Sequence, residues 1–289
     1  MRQIGFLTSR DHADLTDDDR LVVDPLKALS ISVAPLIWDD EKVNWKAFDA
    51  VIVRSCWDYY LKPEEFRRWL DERKRDGIRL INRLDILYWN MEKNYLAELS
   101  ASGIDIVPTV WLARGSSAQL ESILQDRRWR NAVVKPTISA TAYNTWTTSD
   151  ERAAMDQSKL ELLLKSNDVM VQPFMKSIQS EGEWSLVFLG GEYSHAVIKR
   201  PKNGDFRVQS DFGGTVADAS PTADLIETAR NILSKIPSPL LYARVDGVME
   251  DGRFYLMELE IIEPSLFLGQ NNKAPERFAQ AIHSHLNHS

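Results

Sequence analysis

Residues 240–267 read LLYARVDGVMEDGRFYLMELEIIEPSLF. Two extended runs flank Glu250-Asp251-Gly252, and a glycine able to adopt φ > 0 between such runs is a hairpin signal. Register decides what the hairpin can do, because a slip of one residue exchanges its two faces. A two-residue Asp251-Gly252 turn pairs Val245 with Glu258 and puts both glutamates on the face of Ala243 and Val245. A three-residue turn with Gly252 left-handed pairs Arg244 with Glu258 and Asp246 with Leu256. Arg244, Asp246, Glu258 and Glu260 then share one face, while Val245, Met249, Met257, Leu259 and Ile261 share the other. The second register separates charge from apolar side chains and is the one expected. Its charged face holds three carboxylates and one guanidinium. Like charges a few ångströms apart shift pKa values by whole units. Either solvent floods this face or a hard divalent cation sits there on oxygen ligands.

Upstream, EGEWSLVFL (181–189) and EYSHAVIK (192–199) read as two more antiparallel strands, and a helix is expected over Met91–Ser102. Before Asn82 the pattern changes. QIGFLT (3–8), SVAPLIW (32–38), AVIVRS (50–55) and IRLIN (78–82) are apolar strand candidates. Between the last two, Pro63–Asp76 has helical spacing with Phe66, Trp69 and Leu70 on one face. Thr16 followed by Asp17, Asp18 and Asp19 is a helix start, a hydroxyl cap with carboxylates at the positive end of the dipole. Alternating β and α predicts a doubly wound parallel sheet. The expected fold is therefore an α/β doubly wound parallel sheet over residues 1–82 and an α+β domain over 83–289, with the boundary at 83–90.

Open α/β sheets collect ligands beyond the carboxyl ends of their strands. Thr8 and Ser9 follow the first strand, and Arg54, Ser55, Trp57 and Asp58 lie at the end of AVIVRS and in the turn after it, which makes them substrate candidates. Cys56 sits in the same turn, but no base is identifiable nearby, so it is not expected to be a nucleophile. Arg54 is either a clamp for a substrate carboxylate or half of an Arg–Asp pair closing the loop.

Composition narrows the field. The 289 residues carry 35 Lys+Arg against 42 Asp+Glu, a net charge of −7. No basic run clusters cations, so nucleic acid is not an expected partner. The nine Trp and ten Phe fall singly within apolar segments and read as core. A single cysteine, Cys56, excludes an internal disulfide framework and fits a reducing compartment. No apolar run reaches the roughly 18 residues of a membrane span, and the start lacks a cleavable leader. The expectation is a cytoplasmic protein, monomer or homo-oligomer, with no membrane partner. His283, His285 and His288 crowd the C-terminus, where a helix end accounts for them.

In order along the chain, NAVVKPTISATAY (131–143), MVQPFM (170–175), GEWSLVFLGGEYSHAVIKR (182–200) and the 240–267 hairpin resemble the ATP-grasp superfamily over residues 83–289, with a small central subdomain at about 105–175. RSCWDYY (54–60) and IIEPSLF (261–267) make the chain most similar to the ligase that closes the D-cycloserine ring, with glutathione-synthetase-like enzymes more distant. The resemblance implies ATP and Mg2+, with two ions expected and Mn2+ as an alternative. It assigns Lys93 and Lys135 to the α- and β-phosphates and PTISATAYNT (136–145), including Ser139, to the loop that covers them. In that loop Ser139, Ala140, Thr141 and Ala142 stand where the superfamily favours glycine. Gln172 and the backbone near Phe174 and Met175 would meet adenine, and Glu183, with Glu181 as runner-up, the ribose. Lys199 and Arg207 would steady the γ-phosphate. Asp246, Glu258 and Glu260 would hold the metal, although relatives have E-x-N where this chain has Glu258-Leu259-Glu260. Arg244 would stabilise the acyl phosphate and the oxyanion, and Glu263 and Ser265 would lie next to the substrate.

The implied activity is an ATP-dependent carboxylate–amine ligation of a small amino-acid-like substrate through an acyl phosphate, as in ring closure to D-cycloserine. The alternative is a Mg-ATP-binding regulatory or scaffold protein without turnover.

Overall fold

Apolar runs near the N-terminus fold as parallel strands. In the computed structural model, which describes every residue except 203, 204, 206, 209–211, 238, 288 and 289, the chain begins β1 (Arg2–Thr8), α1 (Asp17–Arg20), α2 (Val23–Ala28), β2 (Ile31–Ile37), β3 (Ala50–Ser55), α3 (Pro63–Arg75) and β4 (Leu80–Ile81). The strands lie in the order β2-β1-β3-β4, all parallel. Every residue of β3 is buried, the pattern of a strand covered on both faces. Thr16 caps α1 by accepting from the Asp19 amide. α3 starts on Pro63 with Glu64 and Glu65 in its first turn and buries Phe66, Trp69 and Leu70, as the spacing predicts.

α4 (Leu84–Asn90) and α5 (Tyr95–Ala101) follow. The continuous helix expected over Met91–Ser102 is interrupted: residues 91–94 turn, and the Lys93 amide donates to the Thr137 carbonyl at 3.0 Å. The expected boundary at 83–90 is largely α4 itself. Next come β5 (Val110–Leu112), α6 (Leu120–Arg127), β6 (Asn131–Pro136), β7 (Trp146–Ser149), α7 (Ala153–Leu164) and β8 (Val169–Pro173). They form an antiparallel sheet, β5-β8-β6-β7, whose core includes Leu120 and Leu124 of α6 and Leu160 and Leu164 of α7.

α8 (Ser177–Ser180), β9 (Glu183–Leu189), β10 (Glu192–Arg200), β11 (Thr215–Ala219), α9 (Ala223–Leu233), β12 (Tyr242–Glu250), β13 (Arg253–Glu260) and α10 (Ala274–Asn287) complete the chain. α10 carries His283 and His285, and His288 lies outside the described residues. The third sheet is antiparallel, β11-β10-β9-β12-β13. One face packs Leu186, Val245 and Leu259 against α9 and α5. On the other, Val187, Leu189 and Tyr242 share a core with β1, β3 and α10, so the first sheet rests on the last.

The hairpin forms by a different route from the expected one. Asp251 and Gly252 take φ of +51° and +75°, a two-residue turn that pairs Glu250 with Arg253 and Gly247 with Leu256. Continued unbroken, that ladder would turn Glu258 and Glu260 toward the apolar face. A bulge at Met257 prevents it, and Asp246 pairs with Glu258 and Arg244 with Glu260. The expected pairings of Arg244 with Glu258 and Asp246 with Leu256 are thus corrected, while the shared charged face survives. Met257 leaves its predicted apolar face and joins Val248 and Tyr255 on the opposite side. Gly247 is needed here, since a Cβ would lie 2.4 Å from both the Phe254 ring and the Tyr255 carbonyl oxygen.

β13 ends the sheet, and its outer edge is closed by backbone at Leu256, which bonds to Asp105 and Val107, and beyond it by side chains. The Leu259 amide donates to Tyr95 Oη at 2.9 Å, Asn90 Nδ2 to the Leu259 carbonyl at 2.8 Å, and the Ile261 amide to Asn90 Oδ1 at 3.1 Å. Asn82 continues the line, donating to the Ile261 and Tyr242 carbonyls and accepting from the Leu241 amide. These contacts hold the strand that carries Glu258 and Glu260. Asn90→Ala strands a buried amide and a buried carbonyl at about 1–3 kcal/mol per group. Its urea midpoint is expected to fall accordingly, and an unchanged midpoint would show that water replaces Asn90.

Candidate active site

A cavity of about 350 Å³ opens where the second and third sheets meet the loop after β3. Arg244, Asp246, Glu258 and Glu260 form one wall. Lys135 from β6, Gln172 from β8, Glu183 from β9 and Lys199 from β10 reach it, as do Lys93, Ser139, Phe174, Met175 and Arg207. Trp57, Glu263 and Ser265 line it too. A larger, shallower groove of about 990 Å³ between the β9–β10 turn and α10 contains none of these residues.

Taken alone, the hairpin is short of cations, and lysines from other elements make up the difference. Asp246, 1% exposed, accepts from Arg244 at 2.8 Å, Ser185 Oγ at 2.6 Å and Lys199 Nζ at 3.4 Å. Burial alone would raise its pKa, but Arg244 and Lys199 outweigh burial and hold the carboxyl well below the usual range. Glu258 accepts from Lys135 Nζ at 3.0 Å, with Lys93 Nζ at 3.8 Å. Those two lysines overcome burial and lower its pKa. Glu183 pairs with Lys199 at 2.6 Å, yet burial prevails and its pKa is raised. Glu260 pairs with Arg244, but burial, only partly offset by that arginine, pushes it up to about 7. Burial, reinforced by the charge of Glu260, pushes Glu263 up to about 8.

Among the described residues, no three Asp, Glu, His or Cys side chains form a ready-made metal cage. Asp246, Glu258 and Glu260, the expected ligands, are each committed to a cation of the chain. The donor set still suits Mg2+, which binds through one or two carboxylates plus phosphate oxygens rather than an all-protein cage. Calorimetry is therefore expected to show no saturable binding of Mg2+ alone in the millimolar range, and binding once ATP is present. A metal that takes Glu260 must displace its proton wherever the pH lies below about 7. Affinity should then rise with pH toward that value and level off above it, with proton release visible in buffers of different ionisation enthalpy. Affinity flat across that window would exclude Glu260 as a ligand.

On the nucleotide side, Gln172 Nε2 donates to Thr109 Oγ1 at 2.9 Å. The Phe174 amide donates to the Asn131 carbonyl at 3.0 Å, so the adenine donor expected at Phe174 is committed elsewhere. Gly182, with φ +96°, turns the chain into β9, and a Cβ there would meet the Lys199 carbonyl at 2.7 Å. Glu181 is exposed whereas Glu183 is buried. Arg207 forks onto Asp205 through Nη2 at 2.7 Å and Nε at 3.1 Å. Lys93 Nζ donates to the Ser139 carbonyl at 2.6 Å, which ties the covering loop to the cavity. Lacking glycine, this loop places Thr141, Ala142 and Asn144 in left-handed backbone at φ of 48°, 56° and 51°, each at a cost of about 1–2 kcal/mol. Tyr143 meets Tyr60, from the turn after β3, with ring centroids 5.2 Å apart.

The substrate candidates divide. Trp57, Glu263 and Ser265 line the cavity, but Arg54 does not. It is 2% exposed, donates to Asp19 at 2.8 Å and to the Pro264 carbonyl at 3.1 Å, and lies 4.9 Å from the Tyr242 ring centroid. Arg54 thus forms the Arg–Asp pair, and its partner Asp19 sits in the expected helix start, the first turn of α1, where it is buried. Thr8 and Ser55 are buried and bonded to each other at 2.8 Å, Ser9 is buried, and Asp58 accepts from Trp38 Nε1 at 2.8 Å. All four lie off the cavity wall for the same reason: their polar atoms serve the loops themselves. Cys56 is buried and its thiol is pushed well up by desolvation, which agrees with its exclusion as a nucleophile. Ser185, Asn90, Tyr95 and His195 are not anticipated by the sequence patterns. Only Ser185 carries a readable signal, two residues beyond Glu183 and so on the same strand face.

Residues 4–82 match the family described as the N-terminal domain of the D-cycloserine synthetase DcsG. The cycloserine biosynthesis protein DcsG of Streptomyces lavendulae is 31% identical over 281 residues, covering 90% of this chain and 91% of that protein. The crystal structure of D-cycloserine synthetase DcsG superposes with a TM-score of 0.90 at 29% identity, covering 99% of this chain and 100% of that one. The D-alanine–D-alanine ligase of Bacillus anthracis complexed with ATP shares the fold, with a TM-score of 0.71 at 16% identity over 99% of this chain and 97% of that one. No helix among the described residues is long and apolar enough to cross a membrane.

Proposed function

This chain belongs to the D-cycloserine synthetase family of ATP-grasp ligases, and from that premise we propose that it uses ATP to join a carboxylate to a nitrogen of one small amino-acid-like substrate, closing a ring. A carboxylate is a poor electrophile, so its oxygen first attacks the γ-phosphorus, with ADP leaving, to give an acyl phosphate. Charge in that transfer sits on the equatorial oxygens, so positioned cations do most of the catalysis. Lys93 and Lys135 bind the α- and β-phosphates, and Lys199 and Arg207 face the γ-phosphate. Gln172 and Glu183 hold the base and the sugar. Asp246, Glu258 and Glu260 would hold Mg2+, which when bound would neutralise phosphate charge. The nitrogen then attacks the acyl carbon, phosphate departs, and Arg244 stabilises the oxyanion. The loop between β6 and β7 excludes water that would hydrolyse the acyl phosphate.

The observation that carries this reading is the meeting of Lys93, Lys135, Lys199 and Arg244 with Asp246, Glu258 and Glu260 in one cavity. A scaffold without turnover would have no need of the complete set. A coupled ADP assay tests the proposal on amino acids and their ureido, hydroxamate, aminooxy and dipeptide derivatives. ADP and phosphate should form only with the carboxylate substrate present. AMP and pyrophosphate, or tight ATP binding without turnover across the panel, would overturn it.

A further inference from the structure

Residues 263–267 leave β13 as a loop whose five consecutive carbonyls are all held by side-chain donors. Trp57 Nε1 donates to the Glu263 carbonyl at 2.9 Å, Arg54 Nη2 to Pro264 at 3.1 Å and Arg244 Nη1 to Ser265 at 2.9 Å. His195 Nε2 meets the Leu266 and Phe267 carbonyls at 2.8 and 3.1 Å. Four side chains from three strands and a loop thus fix a segment with no ladder of its own. A backbone held at every residue fixes where its residues sit, and Glu263 is among those that line the cavity.

Every other carboxylate of that wall has a cation. Glu183 has Lys199, Asp246 has Arg244 and Lys199, Glu258 has Lys135, and Glu260 has Arg244. Glu263 makes no ion pair with any described residue. Its charge is felt by Cys56 and Tyr59, on the first-sheet side of the cavity, and its loop shares Arg244 with the catalytic hairpin. Lys93 and Arg244 act on it only at a distance, so no ion pair commits its carboxyl.

We infer that Glu263 is a catalytic base, taking the proton that the attacking nitrogen sheds as it bonds to the acyl carbon. The inference rests on the ligase reading above. The nitrogen lone pair forms the C–N bond, and the carbonyl π pair moves to the oxygen beside Arg244. The N–H proton passes to the Glu263 carboxylate. The oxyanion then collapses, the C–O bond pair leaves with phosphate, and the carboxylic acid loses its proton to solvent after product release. Burial raises the Glu263 pKa to about 8, and a more basic carboxylate is a better proton acceptor.

Positional isotope exchange separates the two halves of the reaction. The probe is ATP with 18O in the β,γ-bridge, together with β-aminooxy-D-alanine, the acid obtained by opening the ring amide of D-cycloserine. Scrambling of the label reports reversible acyl phosphate formation, which precedes the proton transfer. Glu263→Gln should scramble within a few-fold of wild type while cyclic product falls by about 10²–10⁴. Glu263→Asp should recover part of the product rate. Product at the wild-type rate in Glu263→Gln overturns the inference. Parallel loss of scrambling and product, with an unchanged melting temperature, also overturns it, since Glu263 would then serve the first step. If wild type neither scrambles the label nor releases ADP with this acid or any other carboxylate of the panel, the ligase reading itself fails and this inference with it.

Discussion

Asp246→Ala is expected to cost the protein about 3–5 kcal/mol, the usual penalty for removing one partner of a buried ion cluster, and to abolish ligation. Asp246 is the acceptor that Arg244 and Lys199 share, and it is 1% exposed. Without it two cations remain beside each other in a water-poor wall. Asp246→Asn separates charge from shape. It preserves the volume and an acceptor for Ser185, so it should lose less stability while losing the same turnover. Urea denaturation alongside the ADP assay reads both quantities. A Asp246→Asn protein that ligates at the wild-type rate would reduce this carboxylate to a structural role.

Arg244→Lys is expected to lower kcat by about 10²–10³, the range for loss of one oxyanion donor, with KM for ATP changed only a few-fold. The guanidinium contacts Asp246 through Nε and Nη2, Glu260 through Nη2 and the Ser265 carbonyl through Nη1, and its centre lies 5.3 Å from the Phe267 ring centroid. A lysine ammonium keeps the charge but cannot hold these three hydrogen-bond partners with a planar fork. Lys93 and Lys135 are untouched by the change, so nucleotide affinity should persist. A raised KM with kcat intact would mean that Arg244 acts only in ground-state binding.

The parallel sheet was legible because its strands are short apolar runs separated by a helix with its own apolar stripe. The charged face of the hairpin was legible too, since segregation of charge from Val245, Leu259 and Ile261 admits one grouping of residues. The way that grouping is achieved was not. Asp251-Gly252 favours a two-residue turn, segregation demands an odd register, and an unpaired Met257 reconciles them, with no local propensity marking its position. The burial of Arg54 off the cavity was not legible, because its partner Asp19 comes from helix α1, and side-chain pairing at that range leaves no trace in periodicity. The neutralising lysines were each identifiable, but their closeness to Glu258 and Asp246 depends on the packing of two sheets. The role of Asn90 and Tyr95 was hidden for a related reason: side chains that stand in for a missing strand look like ordinary helix residues.

The extra residue in β13 has an evolutionary corollary. Gly247 faces Leu256 and Asp246 faces Glu258 on either side of it, so a gene lacking the Met257 codon would still encode a regular hairpin with its acids in phase. Most single-codon losses in a strand invert everything downstream, but here the loss would only straighten the ribbon and empty one apolar corner. Length variation among relatives should therefore gather at this position, which aligners ought to treat as a permitted gap rather than a broken motif.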